Sequence, residues 1–567
     1  MTTIDETVAQ IQEDVVKELE KRQRLRELDL FVLDNSIRES TVGQLRGHTL
    51  ENKFKIFEEV KKCGFKNIVV ASFAHMTRVD DEFVEKLLAK GEDPKTLFSF
   101  SEVTESVKKG IPDTTTVPIG LKKMQQFRLQ NPILEIDLVD KRVNYEKFTT
   151  EDVCQLLLHW IEWSMKYLPG DPKILVNLRD FPDAMIQSLK RVIAVVQFLA
   201  NLPEKKRPFG IMFEEPTGRY LPEEVGAWTA GVRKTMQQNG WEAGKLLAHV
   251  HKRYALGEVV QLECLVNGAN GIWAGVCEEG AAMGHACSIV TLINLIRMGN
   301  KKVLESYDCS YLRTAAINVT RITTGRDPHP KQVIYGDRAL DLSFDFGGIG
   351  GGILDKNEFD MAKFFGEEAP IRISTLASNS LIARRLIQLF GDNPQFTEET
   401  GQKMKEVMIE DLKQNRKEEY MSEVGVAILF DRAGGKLTPK MQEVIQNIEV
   451  NGVHERELLA NIREIWDAWD LKDIQRGDDA LEFHSFYNGF MAPYFGCYRC
   501  DDTIQGIQAI NMDTDGFVDW GEFTVYLKWA LHQYPQIKDA DELLSVAFRK
   551  GLIPAMRDEI LQNRKPK

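Results

Sequence analysis

The chain has 567 residues and a mass of 64.7 kDa, which at about 150 residues per domain predicts three to four domains. Apolar residues make up 43% and charged residues 28%, which excludes a wholly disordered or fibrous chain. With 72 Lys+Arg against 85 Asp+Glu the net charge is -13, which argues against nucleic acid or an anionic membrane as a partner of the whole chain.

Residues 1–28 read as a solvated helical extension. They are acidic and then mixed in charge, which predicts neither a signal peptide nor a transit peptide. From residue 29 a rhythm begins. Short runs rich in Val, Ile, Leu and Phe recur at 29–35, 67–73, 96–100, 132–139, 173–178, 209–213, 245–251 and 271–276. Amphipathic stretches such as 51–63, 150–168, 184–201, 222–238 and 256–267 separate them. Strands apolar on both faces suit a parallel sheet covered by helices. Eight such units predict a (β/α)₈ barrel, an α/β TIM-barrel fold, over residues 29–299. The third unit is the least regular, because the polar stretch 101–131 follows its strand.

Beyond the barrel the rhythm breaks. Residues 300–440 read as a mixed linker subdomain with helical segments, among them 378–390, and an extended stretch at 335–353. Residues 441–556 form a mostly helical, aromatic-rich block, and 557–567 a basic tail. No window approaches the roughly 18 consecutive apolar residues of a membrane helix. The eight cysteines are scattered, as suits reduced thiols in a cytoplasmic protein. Cys497 and Cys500 form a CxxC without a second pair to complete a zinc site, and are read as structural or incidental.

In such a barrel the chemistry gathers where the strands end. The first strand runs out into Asp34, Arg38 and Glu39, and the seventh into His249 and His251. Alternate side chains of a strand share a face, so His249 and His251 point together into the barrel mouth. Two imidazoles joined by a carboxylate from another strand make a plausible divalent-metal site.

The series Asp34-x-x-x-Arg38-Glu39, Glu215-Pro-Thr-Gly218, His249-x-His251 and Gly280-Ala-Ala-Met-Gly284-His285 resembles the motifs of the DRE-TIM metallolyases. That family includes 2-isopropylmalate synthase, homocitrate synthase, citramalate synthase and 3-hydroxy-3-methylglutaryl-CoA lyase. The run from Gln332 through Gly350, with Ser374 and Ser378 beyond it, is similar to the linker region of the isopropylmalate-synthase branch. The resemblance implies C–C bond formation or cleavage beside a carbonyl through a metal-stabilised enolate, by an acyltransferase or a carbon–carbon lyase. It implies an acyl-CoA or 2-oxo acid substrate and a homodimer. By the same resemblance Arg38 would hold the enolate oxygen, and Glu39, His249, His251 and His285 would hold Zn, Mn, Fe or Mg. Cys277 would correspond to the lyases' reactive thiol. Lys252 and Arg253 stand where the family has Asn-Asp, and would hold an anionic substrate at a cationic mouth. Gly348-Ile-Gly350 replaces the family's Gly-Ile-His, and the second strand lacks the acidic residue that many members carry. These departures keep open an alternative, an inactive barrel that acts as a calcium-sensing interaction protein.

Calcium enters through the C-terminal block. Asn511, Asp513, Asp515, Phe517 (through its carbonyl), Asp519 and Glu522 fall at positions 1, 3, 5, 7, 9 and 12 of an EF-hand loop, with Gly516 at the sharp turn. Ile504, Ile507 and Ile510 lead in, and Phe523, Tyr526, Leu527 and Ala530 lead out, so both flanking helices have an apolar face. A degenerate partner hand is read in 462–486, where Ser485 stands at the place of the bidentate Glu. Ile465, Trp466, Trp469, Phe483 and Phe486 are expected to be core there. One Ca²⁺ per chain is predicted, with a calcium-dependent protein partner as a possible consequence.

Overall fold

Eight strands, all parallel to their neighbours, close on themselves in a computed structural model of the chain. They are β1 (Phe31–Asp34), β2 (Asn67–Ala71), β3 (Leu97–Glu102), β4 (Asn131–Asp137), β5 (Leu175–Arg179), β6 (Gly210–Glu215), β7 (Lys245–Val250) and β8 (Gly271–Ala274). Each is hydrogen-bonded to the next, and β8 returns to β1 with Phe31 opposite Gly271 and Asp34 opposite Ala274. This is the (β/α)₈ barrel that the apolar runs predict. The structure describes residues 4–39, 48–73, 78–108, 111–139, 143–278, 284–329, 331–336, 338–341, 359–414, 419–420, 422–473, 477, 479–494, 510, 515–533, 537 and 539–549.

The strands are buried almost throughout, and their inward rows fill the barrel in layers. Leu33, Val69, Phe98, Phe100, Ile133, Leu175, Met212, Leu247 and Trp273 form the apolar floor. The outward rows, such as Ile211, Phe213, Leu246 and Ala248, are equally buried. A strand covered on both sides therefore reads as an unbroken apolar run. Helices follow with ordinary start signals. Thr149 and Asp152 form a reciprocal capping box at the head of Thr150–Tyr167, and Asn300 caps Lys301–Ser306 through the Val303 N–H. In the third unit a short turn (Val103–Ser106) and a two-residue ribbon intervene before the covering helix, Ile119–Phe127.

The first helix, Ile4–Glu27, buries only Leu25. Its C-terminal end is tied to the barrel by side chains that donate to carbonyls. Arg24 donates to Leu265 O and Ala269 O at 3.0 and 2.8 Å, and Asn300 donates to Leu25 O and Leu28 O at 2.6 and 3.0 Å.

The chain divides into two compact units. One comprises residues 1–324 with 333–335, and the other residues 325–332 with 336–567. The second unit holds two apolar clusters. Leu381, Leu386, Met404, Met408 and Phe430 centre the first, on helices Asn379–Phe390, Glu398–Lys413 and Glu423–Arg432. Trp466 centres the second, with Phe486, Phe490, Phe523 and Tyr526. Ile465, Trp469 and Phe483 pack against it partly buried. Among the described residues no helix is long and apolar enough to cross a membrane.

Candidate metal centre

Strand phase decides what faces the barrel mouth. Above Met212 on β6 the next inward residue is Glu214, which stands opposite His249 on β7. His251 follows two residues on, where its backbone bridges antiparallel to His285. Hydrogen bonds from Lys252 N–H to Gly284 O (3.2 Å) and from Ala286 N–H to Val250 O (3.0 Å) lock that bridge. Three histidines from two separate segments are thus gathered at one strand end. Their ring centroids lie 5.0 Å (His249–His251), 5.1 Å (His249–His285) and 4.1 Å (His251–His285) apart. One nitrogen from each falls within 4.8 Å of the others, so a single ion could touch all three.

The electrostatics suit that use. Burial, then the neighbouring His251, His285 and Arg38, pulls His249 well below the usual imidazole range. Burial, then His251 and Arg38, does the same to His285. Both are held neutral, with nitrogen lone pairs available, the form in which imidazole binds metal. His249 is 4% exposed, and neither of its ring nitrogens has a hydrogen-bond partner among the described residues. A buried polar atom left so is costly unless something binds it. The donor set therefore fits a divalent ion of the Zn, Mn or Fe type.

Glu214 lies beside this set, its Oε1 3.6 Å from His251 Nε2. Burial alone would raise its carboxyl, but His251, Arg179 and Arg38 together hold it below the ordinary carboxylate range. Arg38 sits in the helical turn Ser36–Glu39 after β1, its guanidinium carbon 5.2 Å from the centre of the Phe100 ring and 6.0 Å from that of Trp273. Burial brings it down to about 10, with Glu214 and Asp80 acting the other way. It remains a cation at neutral pH. Glu39 closes the same turn, and its side chain lies outside the described residues.

Two groups of ion pairs shape the surroundings. Lys53 and Asp80, 1% and 2% exposed, meet at 2.8 Å, while Lys53 also donates to Ile37 O (3.2 Å) and Asp80 accepts the Ser72 N–H (3.2 Å). They brace the turn that carries Arg38 against the end of β2. On the opposite wall Arg179 is gripped by Glu102 (3.2 Å), Glu135 and Asp137 (3.4 Å), and Asn177 donates to Glu135 at 2.8 Å.

Other expected residues take different parts. Glu215, first of the Glu-Pro-Thr-Gly series, closes its own turn by accepting from Thr217 N–H (3.0 Å), Thr217 Oγ1 (2.6 Å) and Gly218 N–H (2.6 Å). Gly218 is required there, since its φ is +61° and a Cβ would lie 2.6 Å from Arg253 N. Lys252 is clamped between Glu258 (3.0 Å) and Glu278. Arg253 is exposed, over the Tyr254 ring. The expected cationic mouth is thus corrected: Lys252 is neutralised, and Glu102, Glu135, Asp137 and Glu214 outnumber Arg38 and Arg179. Cys277 is 1% exposed, on the turn after β8. Asn511, Asp513, Gly350, Cys497, Cys500 and the 280–283 part of the fourth motif lie outside the described residues.

In the C-terminal cluster Gly516 has φ +92°, and Asp515 accepts the Phe517 N–H at 2.8 Å. Asp519 and Glu522 cap each other, Asp519 N–H to Glu522 at 3.2 Å and Glu522 N–H to Asp519 at 2.7 Å. Phe517–Asp519 pairs antiparallel with Ala480–Glu482, with Val518 opposite Leu481. The acidic loop before Ala480 uses its carboxylates internally. Asp470 accepts from Gly477 and Asp479 N–H (both 3.3 Å), and Asp473 accepts from Ser485 Oγ and Glu482 N–H (both 2.6 Å).

The inward carboxylates Glu135, Asp137 and Glu214, and Arg179 with them, were not singled out by sequence reasoning. Their signal is a charge repeated at a spacing of two inside an apolar run, as in Ile133, Glu135, Asp137.

No protein-family profile matches the chain, and no curated protein is significantly similar to it. Among solved structures it is similar to the 3-hydroxy-3-methylglutaryl-CoA lyase of Bacillus subtilis, at 14% identity and a TM-score of 0.41, over 53% of this chain and 95% of that one. It is similar to the hydroxymethylglutaryl-CoA lyase of Pseudomonas aeruginosa at 11% identity and TM-score 0.39, over 52% and 93%. The carboxyl transferase domain of Rhizobium etli pyruvate carboxylase aligns at 9% identity and TM-score 0.39, over 74% and 64%. The barrel itself stands on the strand order of this chain.

Proposed function

We propose that the barrel is a divalent-metal enzyme that makes or breaks a C–C bond beside a carbonyl, with an acyl-CoA or a 2-oxo acid as the substrate class. The observation that carries this reading is the convergence of His249, His251 and His285, with their donor atoms within 4.8 Å of one another in a buried mouth. Those histidines, with Glu39 as the expected carboxylate, would hold the ion, which supplies Lewis-acid polarisation of a substrate oxygen. The rest falls to the chain's own groups. Arg38, beside the Phe100 and Trp273 rings, offers a cation to an oxygen that gains negative charge. Glu214, 3.6 Å from His251 Nε2, sets a carboxylate beside the ring and favours the charged form of Arg38. The Lys53–Asp80 pair keeps the Arg38 turn from moving.

The test combines elemental analysis of the purified chain with a turnover screen of acyl-CoA and 2-oxo acid pairs. The reading expects about one transition metal per chain, lost on His249→Ala or His251→Ala, and a turnover lost on Arg38→Ala. Metal unchanged in both histidine variants would sink it. Metal bound without turnover of any pair would favour a retired barrel.

We further propose that 511–522 binds one Ca²⁺ per chain. The left-handed Gly516, the Asp515 turn and the mutual capping of Asp519 and Glu522 support this, as does the short ribbon that joins it to the neighbouring acidic loop. That neighbour's carboxylates already hold backbone and hydroxyl donors, which favours one site over two. Calorimetry should give one site, abolished by Glu522→Gln. Two equivalent sites, or an unaffected variant, would contradict the assignment.

A further inference from the structure

Among residues 325–341 only Val333–Tyr335 groups with the barrel unit, and the chain on both sides of it belongs to the second unit. These three residues form a turn of an uncommon kind. Tyr335 N–H donates to Val333 O at 2.9 Å, and Ile334 between them has φ +71°. A bond across three residues about a centre of that φ makes the rare, strained form of the γ-turn. A β-branched side chain at the centre adds to the strain, and such a conformation persists only where its surroundings impose it.

The barrel supplies those surroundings. Ile334 and Tyr335 are 5% and 3% exposed, whereas Val333 beside them is exposed. The buried Arg313, on the helix Leu312–Thr324, donates through Nε to Ile334 O at 3.0 Å. Tyr335 reaches the turn after β8, where its hydroxyl oxygen accepts the Glu278 N–H at 3.1 Å. Burial, then Cys277, Cys287 and Glu278 nearby, raises the phenol far above its ordinary range, so it stays protonated.

Glu278 ties that turn to the metal centre. Its carboxylate holds Lys252, the residue after His251, and the Lys252 N–H donates to Gly284 O at 3.2 Å. Gly284 in turn closes on Glu278: its φ is +69°, and a Cβ there would lie 2.7 Å from Glu278 O. Residues 278 and 284 therefore meet, and His285 is the next residue out of that junction. On the β8 side, Val276 N–H donates to Ser36 Oγ at 2.9 Å, two residues before Arg38. Of the four residues named here as holding this turn (Tyr335, Lys252, Gly284 and Ser36), Tyr335 alone comes from beyond the eight barrel units.

We propose that Val333–Tyr335 is a latch and Tyr335 a positioning residue: by holding the Glu278 amide, it fixes the junction from which His285 joins His249 and His251. Its role toward the ion rests on the metal reading above, whereas its effect on the backbone does not. Full-length wild type is compared with Tyr335→Phe, which keeps the ring and deletes the acceptor. In the metal-free chains, hydrogen exchange in peptides that contain Glu278 should accelerate at least about tenfold, with peptides of β3 to β5 unchanged. Zinc affinity, read by competition with a chelating dye, should fall about 10–100-fold, as on loss of a group that steadies a ligand. In a His285→Ala background the same substitution should change zinc affinity less than about twofold, because the imidazole it positions is gone. Unchanged exchange around Glu278 would overturn the latch whether or not zinc binds. An equal loss of zinc affinity in both backgrounds would overturn the positioning role, since Tyr335 would then act without His285. Zinc binding that His249→Ala leaves intact would mark failure of the metal reading instead, and the exchange of the metal-free chains would still decide the latch.

Discussion

Replacing Lys53 by methionine removes the nearest cation from a carboxylate that is 2% exposed, and frees Ile37 O, next to Arg38, from its donor. Breaking one side of a buried ion pair costs about 3–5 kcal/mol, because the surviving charge keeps its desolvation penalty. At about 2–4 °C per kcal/mol for a large domain, the barrel's midpoint should fall by about 6–20 °C. The double variant Lys53→Met/Asp80→Asn should recover most of that loss. It removes both charges, while the side-chain amide oxygen introduced at position 80 can still accept the Ser72 N–H now held at 3.2 Å. The assay is hydrogen exchange of barrel peptides resolved by mass spectrometry, so that melting of the second unit does not enter. Exchange of β2 and of the Ser36–Glu39 turn should accelerate in the single variant and return in the double one. A single variant within about 1 kcal/mol of wild type, or a double variant as unstable as the single, would refute the claim that these two charges depend on each other.

Three further outcomes are expected. Asp34 is buried and its carboxyl is pushed up to about 7 by desolvation, against the pull of the two Ser36 bonds. The folded chain therefore keeps a proton that the unfolded chain releases above its ordinary value, and stability falls as pH rises from about 4 to about 7, then levels. Asp34→Asn lacks this term, so the variant should gain on wild type by about 4 kcal/mol across that window; parallel pH–stability curves would refute it. Glu214→Gln should weaken barrel metal binding about 10–100-fold, as loss of a group that steadies a ligand does. Glu215→Gln should instead loosen the 215–218 turn and leave the metal, a contrast that competition with a chelating dye would read. Trp466→Ala should destabilise the C-terminal cluster by about 3–5 kcal/mol, seen as faster exchange in 462–531 with barrel peptides unchanged.

The barrel was legible because a strand covered on both faces must be apolar in both phases, and eight such runs recur before residue 300. His249 and His251 were legible for a related reason, since two polar residues of one phase at a strand end have only the mouth to face. His285 was recoverable by resemblance alone: it lies after a glycine-rich stretch, and only its bridge to His251 brings it in. Glu135, Asp137 and Arg179 were hidden by their setting. Each sits in a run whose other phase is aliphatic, so the run as a whole reads apolar while its inner phase carries charge. Glu214 was masked by Glu215, which fits the family motif better but closes a turn. The mouth was read as cationic because Lys252 is visible in the sequence, whereas its partners Glu258 and Glu278 come from separate segments. The third covering helix was missed because a turn and a ribbon push it well past its strand, into a polar stretch.

The backbone bridge between His251 and His285 has a kinetic meaning. The backbones that carry His251 and His285 are fastened to each other through the Lys252 and Ala286 amides, and His249 stands on the same strand, so the three Cα positions move together. Peeling the end of β7 away from the 284–286 segment would separate His285 from the other two rings and so dismantle the whole donor set at once. The Ala286 amide, which donates to Val250 O across this junction, reports the opening, and an ion bound to all three histidines would slow its exchange.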